Sequence, residues 1–199
     1  MFRYNHPLMT FMESLFDYVL MTVLWLVCAL PGLTVGPATC AYYRTGFARK
    51  ERPGTPVMKT FFASFRSNFR QSILPGLFLT ACTAALVSLT AWAFFSDSAL
   101  SSIPVRIACA GSGLCLFLMF FYGLSLMAMF ENSLVQTLRN AVIIGLTHSV
   151  RTLGMFAFTV LIFYGILLYL PLAAFLLPGL GAAVINALWP VYRELAGKS

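Results

Sequence analysis

Four stretches of the chain are apolar for long enough to cross a bilayer, and short polar stretches separate them. A membrane-spanning helix needs about 20 apolar residues. Phe11 to Leu30 meets this, with Glu13 and Asp17 near its outer end, and so do Ile73 to Phe95 and Val105 to Phe130. Thr152 to Val191 runs for 40 residues without a formal charge. That is too long for one helix and suits two in a tight hairpin. Pro171 divides the run nearly evenly and is the preferred turn, with Pro178-Gly179 as the alternative. The pattern predicts an all-α, polytopic transmembrane helical bundle in which residues 1–199 form a single integral membrane domain. About five spans are expected, near 11–30, 73–95, 105–130, 152–170 and 172–190. Four spans with a re-entrant or kinked end is the rival.

Two segments between the spans have a helical period of their own. In residues 55–70, Thr55 can cap and Pro56 suits the first helical position. At about 100° per residue, Met58, Phe61, Phe62, Phe65 and Phe69 gather on one face, and Lys59, Arg66 and Arg70 on another. Aromatics flanked by cations suit an anionic headgroup layer. A helix that packs its Phe face on the bundle fits the pattern equally. In residues 132–149, Leu134, Leu138, Val142 and Leu146 recur every fourth position, with Gln136, Arg139 and Asn140 off that face. This second segment is less cationic, so docking on the bundle is preferred.

Composition agrees with a membrane residence. The chain is 60% apolar and 10% charged, against about 45–50% and 25% for a soluble domain. Thirteen Lys and Arg oppose six Asp and Glu, and the cations cluster beside the spans rather than in a nucleic-acid recognition module. With five spans, eleven cations fall on one side, leaving only Arg3 and Arg106 on the other. The positive-inside rule then puts the N-terminus outside and the C-terminus in the cytoplasm. The segment before the first span, holding Arg3, Glu13 and Asp17, does not read as a cleaved signal peptide.

Candidate chemistry is sparse. The five cysteines make no Cys-x-x-Cys pair and lie mostly in apolar runs, so neither metal nor cofactor is expected. His6 and His148 have no adjacent carboxylate or Cys, and no nucleophile elbow, zincin or P-loop motif occurs. The expectation is that the protein is not an enzyme. Asn186 is the one amide well inside the last span; it makes an interhelical hydrogen bond or lines a polar path with Thr34, Tyr164 and Tyr169. Ala81, Ala84, Ala85 and Ser88 form a small-residue stripe on the second span, suited to an internal helix contact or, failing that, to self-association. The segment Leu30 to Ala38 carries Pro31, Gly32, Gly36 and Pro37 within seven residues. Pro31 ends or kinks the first span, Gly36 can cap, and Pro37 can start the next helix. A rigid elbow that turns the chain onto the inner surface is preferred over a binding or gating element that includes Thr34.

At this elbow, "LPGLTVGPATCAYY" resembles the N-terminal signature of the YesL-like family, domain of unknown function 624. The likeness continues through "FFASFRSNFRQS" at residues 61–72 and, more loosely, through "ENSLVQTLRNAVIIGLTHSVRTL". Matching positions are Pro31, Thr34, Gly36, Pro37, Phe61, Phe65, Asn68 and Phe69, none with assigned chemistry. The resemblance implies a bacterial inner-membrane protein encoded near carbohydrate uptake and breakdown systems, including ABC-type sugar permeases. It leads to the expectation of an accessory or regulatory component of carbohydrate uptake, with the Phe61–Arg70 helix, including Arg66, as its docking face. The alternative is a small oligomeric carrier or channel for a polar solute.

Overall fold

The computed structural model describes residues 7–95, 103–129, 134–168 and 173–196. Among these the regular structure is helical, with no strand. In chain order the elements are α1 (Pro7–Ala29), α2 (Val35–Glu51), α3 (Val57–Phe95), α4 (Ile103–Leu118), a π-helical turn (Met119–Gly123), α5 (Leu124–Met129), α6 (Leu134–Thr147), α7 (Ser149–Leu168) and α8 (Ala173–Ala196). Met12–Ala29 and Gly111–Met129 are long and apolar enough to cross a membrane. A third candidate is the α6–α7 pair, bent by 98° at His148. Helix α7 is described to Leu168 and α8 from Ala173, and Pro178 lies inside α8. Pro171 and Tyr169 lie outside the described residues.

The organising element is α2. Gly32 turns the chain at φ 73°, in the left-handed region that glycine enters without steric cost. The Thr34 hydroxyl donates back to the Cys28 carbonyl, which ties the elbow to the end of α1. The chain then reverses completely. Trp25 Nε1 donates to Thr39 Oγ1 at 3.0 Å, and one end of the pair is closed by Arg49 against Asp17. Thus α2 runs antiparallel along α1 rather than out onto a surface. Its cap residue is Thr34, not Gly36. Gly36 and Pro37 sit in the first turn and are buried.

Four helices enclose α2. Along α3, Gly36 meets Gly76 backbone to backbone: a Cβ at Gly36 would stand 2.7 Å from Gly76 Cα. Cys40 Sγ donates to Leu124 O at 3.3 Å and Arg44 Nη1 to Ala128 O at 3.2 Å, so α5 runs parallel to α2 one turn at a time. On α8, Gly181 faces Tyr42, Ile185 faces Gly46, and Tyr192 stacks on Phe47 at 5.1 Å. Residues Gly36–Tyr43 and Thr45–Phe47 are buried as a result.

Two expectations need correction. First, segment 55–70 and the second span are one uninterrupted helix, α3, which continues through Pro75. Its buried face is Phe61, Ser64, Asn68 and Ser72, and packs on α2. Second, among the described side chains of α6 those buried on the bundle are Thr137, Ala141 and Gly145, while Val142 of the expected stripe is half-buried. Leu146 is exposed, because the small stripe one residue away lets Leu118 lie against Gly145. The start of α1 and the end of α8 lie at one end of the bundle. Asp17 pairs with Arg49 near the C-terminal end of α2, and Tyr192 donates to Glu51 at 2.8 Å. Contacts among residues distant in sequence, rather than the charge count alone, set this arrangement.

Candidate functional site

The elbow, the cationic helix and the interior of the bundle are the three places where the sequence puts candidate residues. At the elbow, Pro31 and Gly32 are exposed, whereas Gly36 and Pro37 are consumed by packing. The Thr34 hydroxyl is engaged by Cys28. The segment is therefore a turn that returns the chain along α1, not the expected elbow onto the inner surface.

On α3, adjacent residues have opposite fates. Phe61 is 0% exposed and Phe62 is 49% exposed. Phe65 and Phe69 are half-buried and meet edge to face at 5.6 Å. Asn68 is buried and its Nδ2 donates to Ser64 O at 3.0 Å. Arg66 and Arg70 are exposed beside Phe62 and Met58 on the outer surface. The Phe61–Phe65–Phe69 stripe is thus turned inward in part, and the surface left for a headgroup or a partner is Met58, Phe62, Arg66 and Arg70. Farther along α3, Ala81, Ala84, Ala85 and Ser88 are exposed. The contact with α4 uses the adjoining face, where Leu86 lies against Gly113. The stripe is therefore not the internal α3–α4 seam.

An open cleft of about 590 Å³ lies between α1, the C-terminal half of α2, and α8, with Lys50 and Asn186 exposed at it. Asp17 and Tyr18 enter it from α1, Arg49 and Lys50 from α2, and Asn186 from α8. Asp17 and Arg49 are mostly buried and form an ion pair. Such a pair is held in place by its mutual attraction and is costly to break from one side. At the same end of the bundle Tyr192 hydrogen-bonds Glu51. Burial holds the Tyr192 hydroxyl above its ordinary pKa, and the Glu51 carboxylate that accepts its proton acts in the same direction. His148 stands at the knee between α6 and α7, with Nε2 3.9 Å from Glu194.

Asn186 thus belongs to the cationic end of the bundle. Thr34 lies at the opposite end of α2, so the two do not share a path. Tyr164 falls in α7, but its side chain, like all of Tyr169, lies outside the described residues. What sequence reasoning missed is that Asp17, near a span end, and Arg49, in a polar connection, meet across a cleft. Their only signal was an acid within an apolar run.

Residues 18–88 match the model of a family described as "Protein of unknown function, DUF624". The matched segment contains most of α1, all of α2 and most of α3, the antiparallel unit that Gly36 and Gly76 hold together. It agrees with the YesL-like resemblance. No curated protein and no solved structure matches the chain.

Proposed function

We propose that the chain is a non-enzymatic, multi-pass protein of the bacterial cytoplasmic membrane, and that it serves carbohydrate uptake as an accessory component which senses a polar solute. The observation that carries this reading is the α1–α2–α8 cleft, which sets the Asn186 amide beside the Asp17–Arg49 pair and Lys50. An amide, a carboxylate and two cations supply donors and acceptors suited to a hydroxyl-rich molecule. The link to carbohydrate comes from the family resemblance, and an ABC-type sugar permease is the proposed partner.

The positive-inside rule turns the cleft toward the cytoplasm. The start of α1 and the end of α8 then face the cytoplasm together, and the number of crossings is even. Reporters fused at Met1 and Ser199 are expected to be active in the same compartment. Opposite compartments would overturn this topology.

The functional reading is tested on the full chain in nanodiscs, by thermal shift with a panel of monosaccharides, disaccharides and sugar phosphates. The expected result is stabilisation by at least one class, reduced in Asn186→Leu. No stabilisation by any of them would sink the solute-sensing role. Crosslinking and copurification from native membranes is expected to recover permease subunits. A small carrier is the second reading, favoured by the position of the cleft between helices rather than on the outer surface. Sugar uptake into proteoliposomes above empty vesicles would replace the accessory role with that one.

A further inference from the structure

The first half of α3 has two opposite faces. At about 100° per residue, Phe61, Ser64, Asn68 and Ser72 fall on the side that packs on α2, and all four are buried. Lys59, Phe62, Arg66, Arg70 and Leu77 fall within about 80° of one another on the other side, and all five are exposed. Among the described residues the ion pairs are Asp17 with Arg49 and His148 with Glu194, so Arg66 and Arg70 have no carboxylate partner there.

The depth of this face follows from three contacts. Trp25 bonds Thr39 and Asp17 pairs with Arg49, which sets α1 antiparallel to α2 with these residues level. Gly36 stands against Ser72 and Gly76, and α3 returns antiparallel to α2 from the turn after Glu51. At about 1.5 Å per residue along each helix, Arg66 and Arg70 lie level with the stretch of α1 from Val19 to Trp25. That stretch is inside Met12–Ala29, the segment long and apolar enough to cross a membrane, and away from both of its ends. Val19 and Val23 are exposed there. At one depth the bundle therefore presents aliphatic side chains on α1 and two guanidinium groups on α3. About 20 Å of helix separates Arg70 from the start of α3 at Val57, too far for the side chain to snorkel to that end. In the other direction the next exposed residues of α3 are Leu74, Leu77 and Phe78.

Cations at membrane depth face protein or a water-filled cavity, and they pair with carboxylates or backbone carbonyls. We infer that the outward face of α3, from Lys59 to Leu77, docks a membrane-spanning helix of a partner protein that carries carboxylates at mid-depth. The inference rests on the accessory reading for the existence of a partner, and it supplies that partner's chemistry. Arg66 and Arg70 stand one helical turn apart and match two carboxylates at the same spacing, each able to accept a bidentate pair. Phe62 and Leu77 bracket the cations along the helix and give the partner an apolar bed. A second copy docked by the same face would set cation against cation. Lipid tails offer no counter-charge, and anionic headgroups lie at the membrane surface rather than at this depth.

The probes are two synthetic Leu–Ala helices of about 20 residues, one with Glu at two central positions four apart and one with Gln at both. Each is titrated against the labelled full chain in phosphatidylcholine vesicles, and association is read by energy transfer. Saturable association of the Glu helix is expected, about five-fold tighter than that of the Gln helix. Arg66→Gln combined with Arg70→Gln is expected to bring the Glu helix down to the level of the Gln helix. Arg66→Glu combined with Arg70→Glu is expected to restore association with a helix that carries Arg at the two positions. Equal association of the Glu and Gln helices with the unaltered chain overturns the inference, as does undiminished affinity in the double Gln variant. Displacement of the Glu helix by added phosphatidylglycerol would assign the face to anionic headgroups and also overturns it. So does rapid labelling of Arg70→Cys by a membrane-impermeant maleimide, which would mean that water covers the face. Should the double variants fail to fold, the preference of the unaltered chain for the Glu helix decides. Copurification from native membranes separates this inference from the accessory role. Equal recovery of permease subunits by the unaltered chain and the double Gln variant would keep the role and overturn the docking face. Recovery by neither would remove the role, and the vesicle titration would still decide the face.

Discussion

Helices α1 and α2 lie side by side, and their burial is the reverse of their hydropathy. α1 is rich in Leu, Val and Met, yet Phe16 and Val27 are 67% and 60% exposed. α2 carries Arg44, Arg49, Lys50 and Glu51 together with several hydroxyls, yet nearly all of its first thirteen residues are buried. In water the hydrophobic effect would drive the first inside. In a bilayer the surroundings are as apolar as leucine, and helix association depends on close packing and interhelical hydrogen bonds. Small and hydroxyl-bearing residues therefore go to the centre, and leucines face lipid. High hydropathy in this chain marks what touches the membrane, and small-residue content marks what touches another helix.

The comparison is open to attack at its strongest point first. Phe61→Ala removes a fully buried ring from the α2–α3 contact and is expected to cost about 3–5 kcal/mol. Phe62→Ala, one residue away and half-exposed, is expected to stay within about 0.5 kcal/mol. Thermal unfolding in detergent, followed by size-exclusion fluorescence, separates the two. Equal losses would mean that α3 does not pack as described. Gly36→Ala comes next. The added methyl meets the Gly76 backbone, which cannot rotate away, and a loss of about 2–3 kcal/mol is expected. If that variant is as stable as the parent, α2 does not approach α3 at this glycine. Tyr122→Phe removes the buried hydrogen bond to Thr152 at 3.0 Å and is expected to cost about 1 kcal/mol, with both α6 and α7 loosened in hydrogen exchange. The smallest effect is reserved for the outward face of α1. Val23→Leu is expected to change stability by less than about 0.5 kcal/mol. A large loss there would mean that a partner helix, not lipid, covers α1.

How much was legible varies by element, for reasons that can be named. The uncharged run that is too long for one helix is shared between α7, described to Leu168, and α8, described from Ala173. The third apolar stretch becomes the continuous α4–α5 helical run. Its π-helical turn at Met119–Gly123 left no mark in the hydropathy pattern. The elbow was legible in Pro31 and Gly32. That it reverses the chain fully was not, because Gly36 can approach another backbone only where a second glycine, forty residues later, faces it. For the same reason the aromatic stripe on α3 could be drawn but not oriented. Phe61 and Phe62 are chemically identical, and only the position of α2 tells them apart. Asn186 was expected well inside the last span and is instead exposed at the cleft, while the meeting of Asp17 with Arg49 was not expected at all. Their meaning lies in what stands opposite.

The sequence by itself determined that this protein is helical, is apolar enough for a membrane, and has a cationic side. Each of those is a sum over single residues: transfer free energies, helical period and charge. The tertiary structure alone decided that α2 is the central helix, that both ends of the described chain meet at one end of the bundle, and that a polar cleft opens between α1, α2 and α8. These depend on the fit of surfaces between residues far apart in the chain, such as Gly36 on Gly76 and Tyr42 over Gly181, and close packing is a property of pairs that no single-residue scale contains.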